Sequence, residues 1–287
     1  MLKSLALTKA VPSRHLGRLK HTLVTPEWVV DTKDNLGIMD CGSPDGYKRG
    51  HVPNAHFFGL PSKDPKDPFQ IVSESFFRSY LDKLPVDEST TFVFYDDAHH
   101  LQATRAWWVS RYYGIPRGQI KVLNGGWRYW VENDFEVSCV EPSTKDSSAD
   151  KPKIVKDAKR VIDLDELKKI VAADDNAVHI LDTRSEAEFT GANPNGNARP
   201  GHVPRALHFE WSDALQANGQ FKPMEQLLEL VHAAGLTPDK PVITYCQRGI
   251  RAAHTTFVLE EILDFPTVRV YEGSMLEYLN LPDTKVV

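Results

Sequence analysis

The chain has 287 residues, 41% of them hydrophobic and 25% charged, which suits one large or two medium globular domains with a sizeable core. A formal net charge of −5 gives no support to nucleic acid or an anionic membrane surface as the main partner. The absence of any run of about 18 apolar residues leaves no transmembrane helix to expect.

In chain order, residues 1–26 carry Lys3, Lys9, Arg14, Arg18 and Lys20 among hydroxyl residues and leucines, with no acid before Glu27. That composition is the pattern of a mitochondrial transit peptide. Residues 1–22 are therefore read as a targeting segment and the mitochondrial matrix as the destination, with the cytoplasm as the alternative. A solvated basic tail and a secretory signal with a short apolar core are the other readings. A first unit follows over 23–140. It contains IMDCGSPDGYKRGHVPNAHFF from Ile38, a helical pattern placing Phe76, Phe77, Tyr80, Leu81 and Leu84 on one face, the strand TFVFY (91–95), and IKVLNGGWRYW (120–130). Residues 141–159, polar and aperiodic, read as a linker.

The second unit, 160–287, repeats this order. DLDELKKIVAAD opens on Asp163 with Glu166 three residues on, a capping-box spacing. The strand AVHILD leads to SEAEFTGANPNGNARPGHVPRALHF, which repeats Gly-His-Val-Pro-x-Ala after about nine extra loop residues. A helix is bounded by Pro223 and Gly235, and the strand PVITY runs into CQRGIRAA. Ile38 and Ile180 are 142 positions apart and Gly50 and Gly201 151, so the chain is a tandem duplication of a unit of roughly 120 residues. Strands alternating with helices predict an α/β fold, each unit a parallel sheet flanked by helices.

Cys41, Cys139 and Cys246 lie far apart without a Cys-x-x-Cys pair, against a disulfide framework or a cysteine-rich metal site and in favour of a reducing compartment. Cys246 sits where the strand Val242–Tyr245 ends and a helical pattern begins, the place where open α/β sheets collect ligands. Gly249 lets the backbone curl so that several N–H groups converge on one atom, and Arg248 and Arg251 add positive charge. Such a cradle stabilises a thiolate, a persulfide or an anionic donor. A buried cysteine that merely packs is the competing reading; two arginines within five residues favour the reactive one.

These motifs together resemble the rhodanese family. CQRGIRA is similar to its active-site pattern C-x-x-G-x-[RT]-[AS], GHVPNA and GHVPRA to its Gly-His-Ile/Val-Pro-x-Ala motif, and LDTRSEAEF to its Asp-x-Arg strand end. VYEGSMLEYL and VLNGGWRYW resemble its Tyr-Asp-Gly-Ser-Trp and Asn-Gly-Gly segments. The resemblance implies two tandem rhodanese-like domains and cofactor-free, metal-free transfer of sulfane sulfur through Cys246, with Gln247, Arg248, Gly249, Ile250, Arg251 and Ala252 as the persulfide cradle. The implied partners are thiosulfate or 3-mercaptopyruvate as donor and cyanide or a thiol, such as thioredoxin or glutathione, as acceptor. Arg248, Arg251, Arg199 and Arg184 are the candidate substrate-binding residues. Asp96 stands in the first unit where Cys246 stands in the second, so the first unit is expected to be an inactive lid.

Arg248 favours thiosulfate, because mercaptopyruvate enzymes have a loop resembling Cys-Gly-Ser/Thr-Gly-Val-Thr. Glu188 replaces the family's carboxylate-binding arginine, a charge reversal for which Arg199 is the candidate compensation. Pro61 and Gln70 stand near the places where mercaptopyruvate enzymes have Asp and His, which speaks against a relay there, and Met275 replaces the family's Trp. A cysteine phosphatase needs Cys-x5-Arg, but Ala252 occupies that position. A non-enzymatic sulfur carrier is the rival of a different class. His51 and His202 are expected to bond a turn rather than a metal, Trp107 and Trp108 to be core rather than cleft, His99 and His100 to be exposed, and Cys41 and Cys139 to be packing or surface residues.

Overall fold

The computed structural model describes residues 22–32, 35–143, 150–173 and 176–287. The expected targeting segment lies outside them except for Thr22, whose hydroxyl donates to Glu261 Oε2 at 2.8 Å.

Each unit forms one five-stranded sheet, and every pairing is parallel. The first contains β1 (Leu23–Val24), β2 (Leu36–Asp40), β3 (His56–Phe57), β4 (Thr91–Tyr95) and β5 (Ile120–Leu123) in the order β1-β5-β4-β2-β3. The second contains β6 (Val161–Ile162), β7 (His179–Asp182), β8 (Leu207–His208), β9 (Val242–Tyr245) and β10 (Val268–Tyr271) in the equivalent order β6-β10-β9-β7-β8. The connecting helices of the first unit are α1 (Pro26–Asp31), α2 (Pro44–Arg49), α3 (Glu74–Leu81), α4 (Leu101–Tyr112) and α5 (Gly126–Glu132). Those of the second are α6 (Leu164–Ala173), α7 (Glu186–Phe189), α8 (Met224–Ala233), α9 (Ile250–Phe257) and α10 (Ser274–Tyr278).

Local signals act largely as the sequence predicts. Ser73 caps α3 by accepting from Phe76 N, and Phe77 and Leu81 are buried on its apolar face. Pro223 precedes α8, and Gly235 past its end takes φ +88°, a conformation that glycine adopts without strain. The capping box at Asp163 is only half present: Asp163 Oδ1 accepts from Glu166 N at 2.8 Å, but the Glu166 carboxylate pairs with Arg269 on β10. A charged partner within reach outweighs the backbone N–H.

The duplicated Gly-His-Val-Pro motifs do the same work twice. Val52 N donates to Tyr95 Oη at 3.1 Å and Val203 N to Tyr245 Oη at 3.3 Å, which ties the loop before β3 or β8 to the end of the central strand. His51 Nδ1 bonds the carbonyl of Tyr47, and His202 Nδ1 that of Phe189, each imidazole stacked on the aromatic ring whose carbonyl it bonds.

The two units share one apolar core. Helices α4 and α9 pack against each other, with Trp107 meeting Phe257 edge-on at 5.2 Å inside a cluster that runs from Met39 to Val270. Trp107 and Trp108 are both fully buried. The predicted linker is attached rather than free: Val155 N and Asp157 N donate to the carbonyls of Tyr113 and Tyr112, and Arg78 reaches the carbonyl of Pro152.

Candidate active site

Strand β9 delivers Cys246 to the carboxyl edge of the second sheet, and the corner after β10 clamps it there. Cys246 N donates to Ser274 Oγ at 3.3 Å, while the carbonyls of Cys246 and Gln247 accept from Met275 N and Leu276 N, both at 3.0 Å. With its backbone held on both sides, the side chain faces the start of α9, where Gly249 N donates to Sγ at 3.0 Å. Gly249 has φ +82°, a conformation that favours glycine, and a Cβ there would lie 3.2 Å from both Glu272 Oε2 and Lys63 Nζ, a tight fit. The first-turn N–H groups of α9, Ile250 to Ala252, lack intrahelical acceptors and follow directly on the residue that bonds the sulfur. Cys246 is 1% exposed.

The two arginines of this turn differ in environment. Arg251 grips Glu188 with Nη1–Oε2 at 2.6 Å and Nη2–Oε1 at 2.9 Å. Burial alone would raise the Glu188 carboxyl, but the bonds from Arg251, Asn195 and Ser185 prevail and hold it at about 2. The charge reversal at position 188 thus has its answer in Arg251. Arg248 is exposed and makes no hydrogen bond or ion pair among the described residues. The inserted loop rests on the same turn: the Asn197 and Gln247 amides bond each other at 2.8 and 3.1 Å, and Asn195 Nδ2 donates to Glu188 Oε1 at 2.8 Å.

The first unit reaches the same glycine. Arg105 of α4 binds Glu272 through two bonds of 2.8 Å, Lys63 Nζ donates to Glu272 Oε2 and to its carbonyl, both at 2.6 Å, and the Trp108 indole donates to Oε1 at 2.8 Å. Burial raises the Glu272 carboxyl, yet Arg105 and Lys63 together hold it at about 2. Sequence reasoning missed all three charged residues. Lys63 stands in the polar run GLPSKDPKDPFQ, where nothing distinguishes it from a solvated lysine. Arg105 did carry a signal, a charge among Ala103, Ala106 and Trp107, where only a buried partner makes it tolerable.

A profile of the Rhodanese-like domain family matches residues 25–133 and 163–281. The chain belongs to the rhodanese family. It is 30% identical over 271 residues to the sulfur carrier protein TtuD of Thermus thermophilus, covering 90% of this chain and 94% of that one. To a thiosulfate sulfurtransferase of Corynebacterium glutamicum it is also 30% identical over 271 residues, covering 90% and 88%. To 3-mercaptopyruvate sulfurtransferase of Escherichia coli it is 29% identical over 250 residues, covering 84% and 85%.

Within this rhodanese, two of the arginines proposed for substrate are structural. Arg184 is buried, forks onto Asp182 with Nη2–Oδ2 at 2.7 Å, and bonds the carbonyl of Gly201 at 2.8 Å, which fixes the turn after β7. Arg199 gathers the C-terminal segment, donating to the carbonyls of Tyr278, Leu281 and Thr284 and to Thr284 Oγ1. None of its bonds goes to Glu188, whose ion-pair partner is Arg251. The turn of the first unit is built on Asp96, whose carboxylate accepts from the N–H groups of Ala98, His100, Gln102 and Ala103 at 2.7 to 2.9 Å. The aspartate fills its own cradle. His99 is exposed as expected, but His100 is buried, bonds the carbonyl of Gly219 at 2.9 Å and stacks on Phe221 of the second unit. Cys41 is buried and Cys139 exposed.

Proposed function

We propose that this rhodanese-type sulfurtransferase moves sulfane sulfur from thiosulfate to cyanide or a thiol through a persulfide on Cys246. The Cys246 thiolate attacks the outer sulfur of thiosulfate, the S–S bond of the donor breaks, and sulfite leaves with its electron pair. The acceptor then attacks the outer sulfur of the persulfide and the thiolate is regenerated. The observation that carries this reading is the Gly249 N–H aimed at Cys246 Sγ at the start of α9, a donor placed to stabilise negative charge on sulfur. Arg248, exposed and without a partner among the described residues, is the residue left to attract a donor dianion, which favours thiosulfate. With Glu188 neutralised by Arg251, the family's carboxylate-binding position offers no free cation, and this weighs against 3-mercaptopyruvate.

The name of the Thermus thermophilus relative favours a second reading, a sulfur carrier that hands its sulfur to another protein. Sulfite release from thiosulfate with cyanide present separates the two. An enzyme continues past one equivalent per chain, a carrier stops there, and Cys246→Ser abolishes both the release and the gain of a sulfur atom seen by intact-mass spectrometry. Retained turnover in that variant would overturn the role of Cys246. Thioredoxin and glutathione are the thiol acceptors to try first. The basic, acid-free composition of residues 1–20 supports the mitochondrial matrix as the working compartment, checked by locating a tagged full-length chain.

A further inference from the structure

We infer that the inactive first unit supplies the charge that activates Cys246: Lys63, held with Arg105 on Glu272, leaves one buried positive charge beside the catalytic turn, and the Cys246 thiolate is its counter-ion. This rests on Cys246 being the nucleophile and adds the source of its activation.

The charges around Cys246 can be followed element by element. On its own turn, Arg251 is paired with Glu188; burial lowers its guanidinium, but Glu188 and the charge of Cys246 raise it, and Arg248 points to solvent. At the end of β7, Asp182 closes with Arg184. The remaining group is two cations on one carboxylate, with Lys63 8%, Arg105 2% and Glu272 4% exposed. A buried excess cation demands an anion nearby, because the interior screens it poorly and desolvation is costly. Glycine 249 links the group to the sulfur. Its N–H bonds Cys246 Sγ at 3.0 Å, and on its other side Lys63 Nζ and Arg105 Nη1 lie 3.2 and 3.5 Å from where a Cβ would stand. Burial lowers the Lys63 amine from the ordinary lysine range, Glu272 opposes this, Arg105 adds to it, and Cys246 opposes it. The Lys63 segment is also anchored to α4, since Arg105 Nε donates to the carbonyl of Ser62 at 3.0 Å. Neither Lys63 nor Glu272 touches the sulfur; both are positioning residues acting through charge.

The test is the rate of iodoacetamide alkylation of Cys246 against pH, followed on the Cys246 peptide by mass spectrometry in the full-length chain. Lys63→Met leaves a neutral Arg105–Glu272 pair, and the midpoint of the profile should rise by about one pH unit, with alkylation at neutral pH falling severalfold. Glu272→Gln leaves two uncompensated cations, and the midpoint should fall by a similar amount. Lys63→Arg should keep it near wild type. General loosening of the turn would move both variants in the same direction, so equal signs, or an unmoved midpoint in Lys63→Met, would overturn the inference. If Lys63→Met does not fold, Glu272→Gln decides alone: a lower midpoint supports the inference, and an unchanged or higher one refutes it. Alkylation needs no sulfur donor, so a wild type that never forms persulfide while the midpoints move as described refutes the sulfur-transfer reading and leaves this one standing.

Discussion

Glu188 is the charge reversal at the family's carboxylate-binding position, and Arg251 fits the [RT] position of the active-site loop; the structure joins the two into one ion pair. From the sequence each was visible, but the pair was not, because 63 positions separate them and only the packing of α7 against the start of α9 brings them to 2.6 Å. The acid behaviour follows. Glu188 is held at about 2 against the ordinary 4.5, so the stability it contributes is complete above pH 4.5 and is lost as pH falls toward 2. Glu188→Gln should cost on the order of 3 kcal/mol at pH 7, and less near pH 3, in urea unfolding at the two pH values. A cost independent of pH would mean that the carboxylate acts by shape alone.

At the level of elements, the turns β4–α4 and β9–α9 share a frame and differ in what fills it, a carboxylate in one and a thiol in the other. The carbonyl of Asp96 accepts from Trp127 N at 2.9 Å just as that of Cys246 accepts from Met275 N at 3.0 Å, so this anchor of the strand end recurs in both units. Where the second unit has Gly249, the first has two left-handed residues, His99 at φ +56° and, directly before α4, His100 at φ +67°. The strain of that conformation in a non-glycine residue is offset by its bond to Gly219 and its stacking on Phe221. The exposed His99-His100 pair expected from the sequence failed at His100 for this reason, since its partners come from the other unit. Asp96→Ala should therefore destabilise the protein by about 2–4 kcal/mol, because four backbone donors lose a charged acceptor at once. Thermal unfolding measures this, and a loss under about 0.5 kcal/mol would show that the cradle is satisfied in another way.

For the whole molecule, the shared core decides whether the second unit can work alone. Residues 160–287 expressed by themselves would expose Phe257 and the α9 face that Trp107 covers, and would leave Glu272 without Arg105, Lys63 and Trp108. That fragment should bind hydrophobic dye, unfold at far lower denaturant than the intact chain and release no sulfite from thiosulfate; a stable, active fragment would contradict the account of Glu272. By itself the sequence determined the duplication, the parallel α/β units, the Gly-His-Val-Pro turns and the place of Cys246, because hydrophobic period, glycine and strand-end chemistry are local properties that repeat legibly. Only the tertiary structure decided which charges surround the sulfur. It turned Arg184 and Arg199 into braces, paired Arg251 with Glu188, and carried Lys63 and Arg105 across from a unit that looked like a mere lid. The physical reason is that a buried charge is defined by its partner, and the partners of Glu272 lie 167 and 209 positions away in the chain.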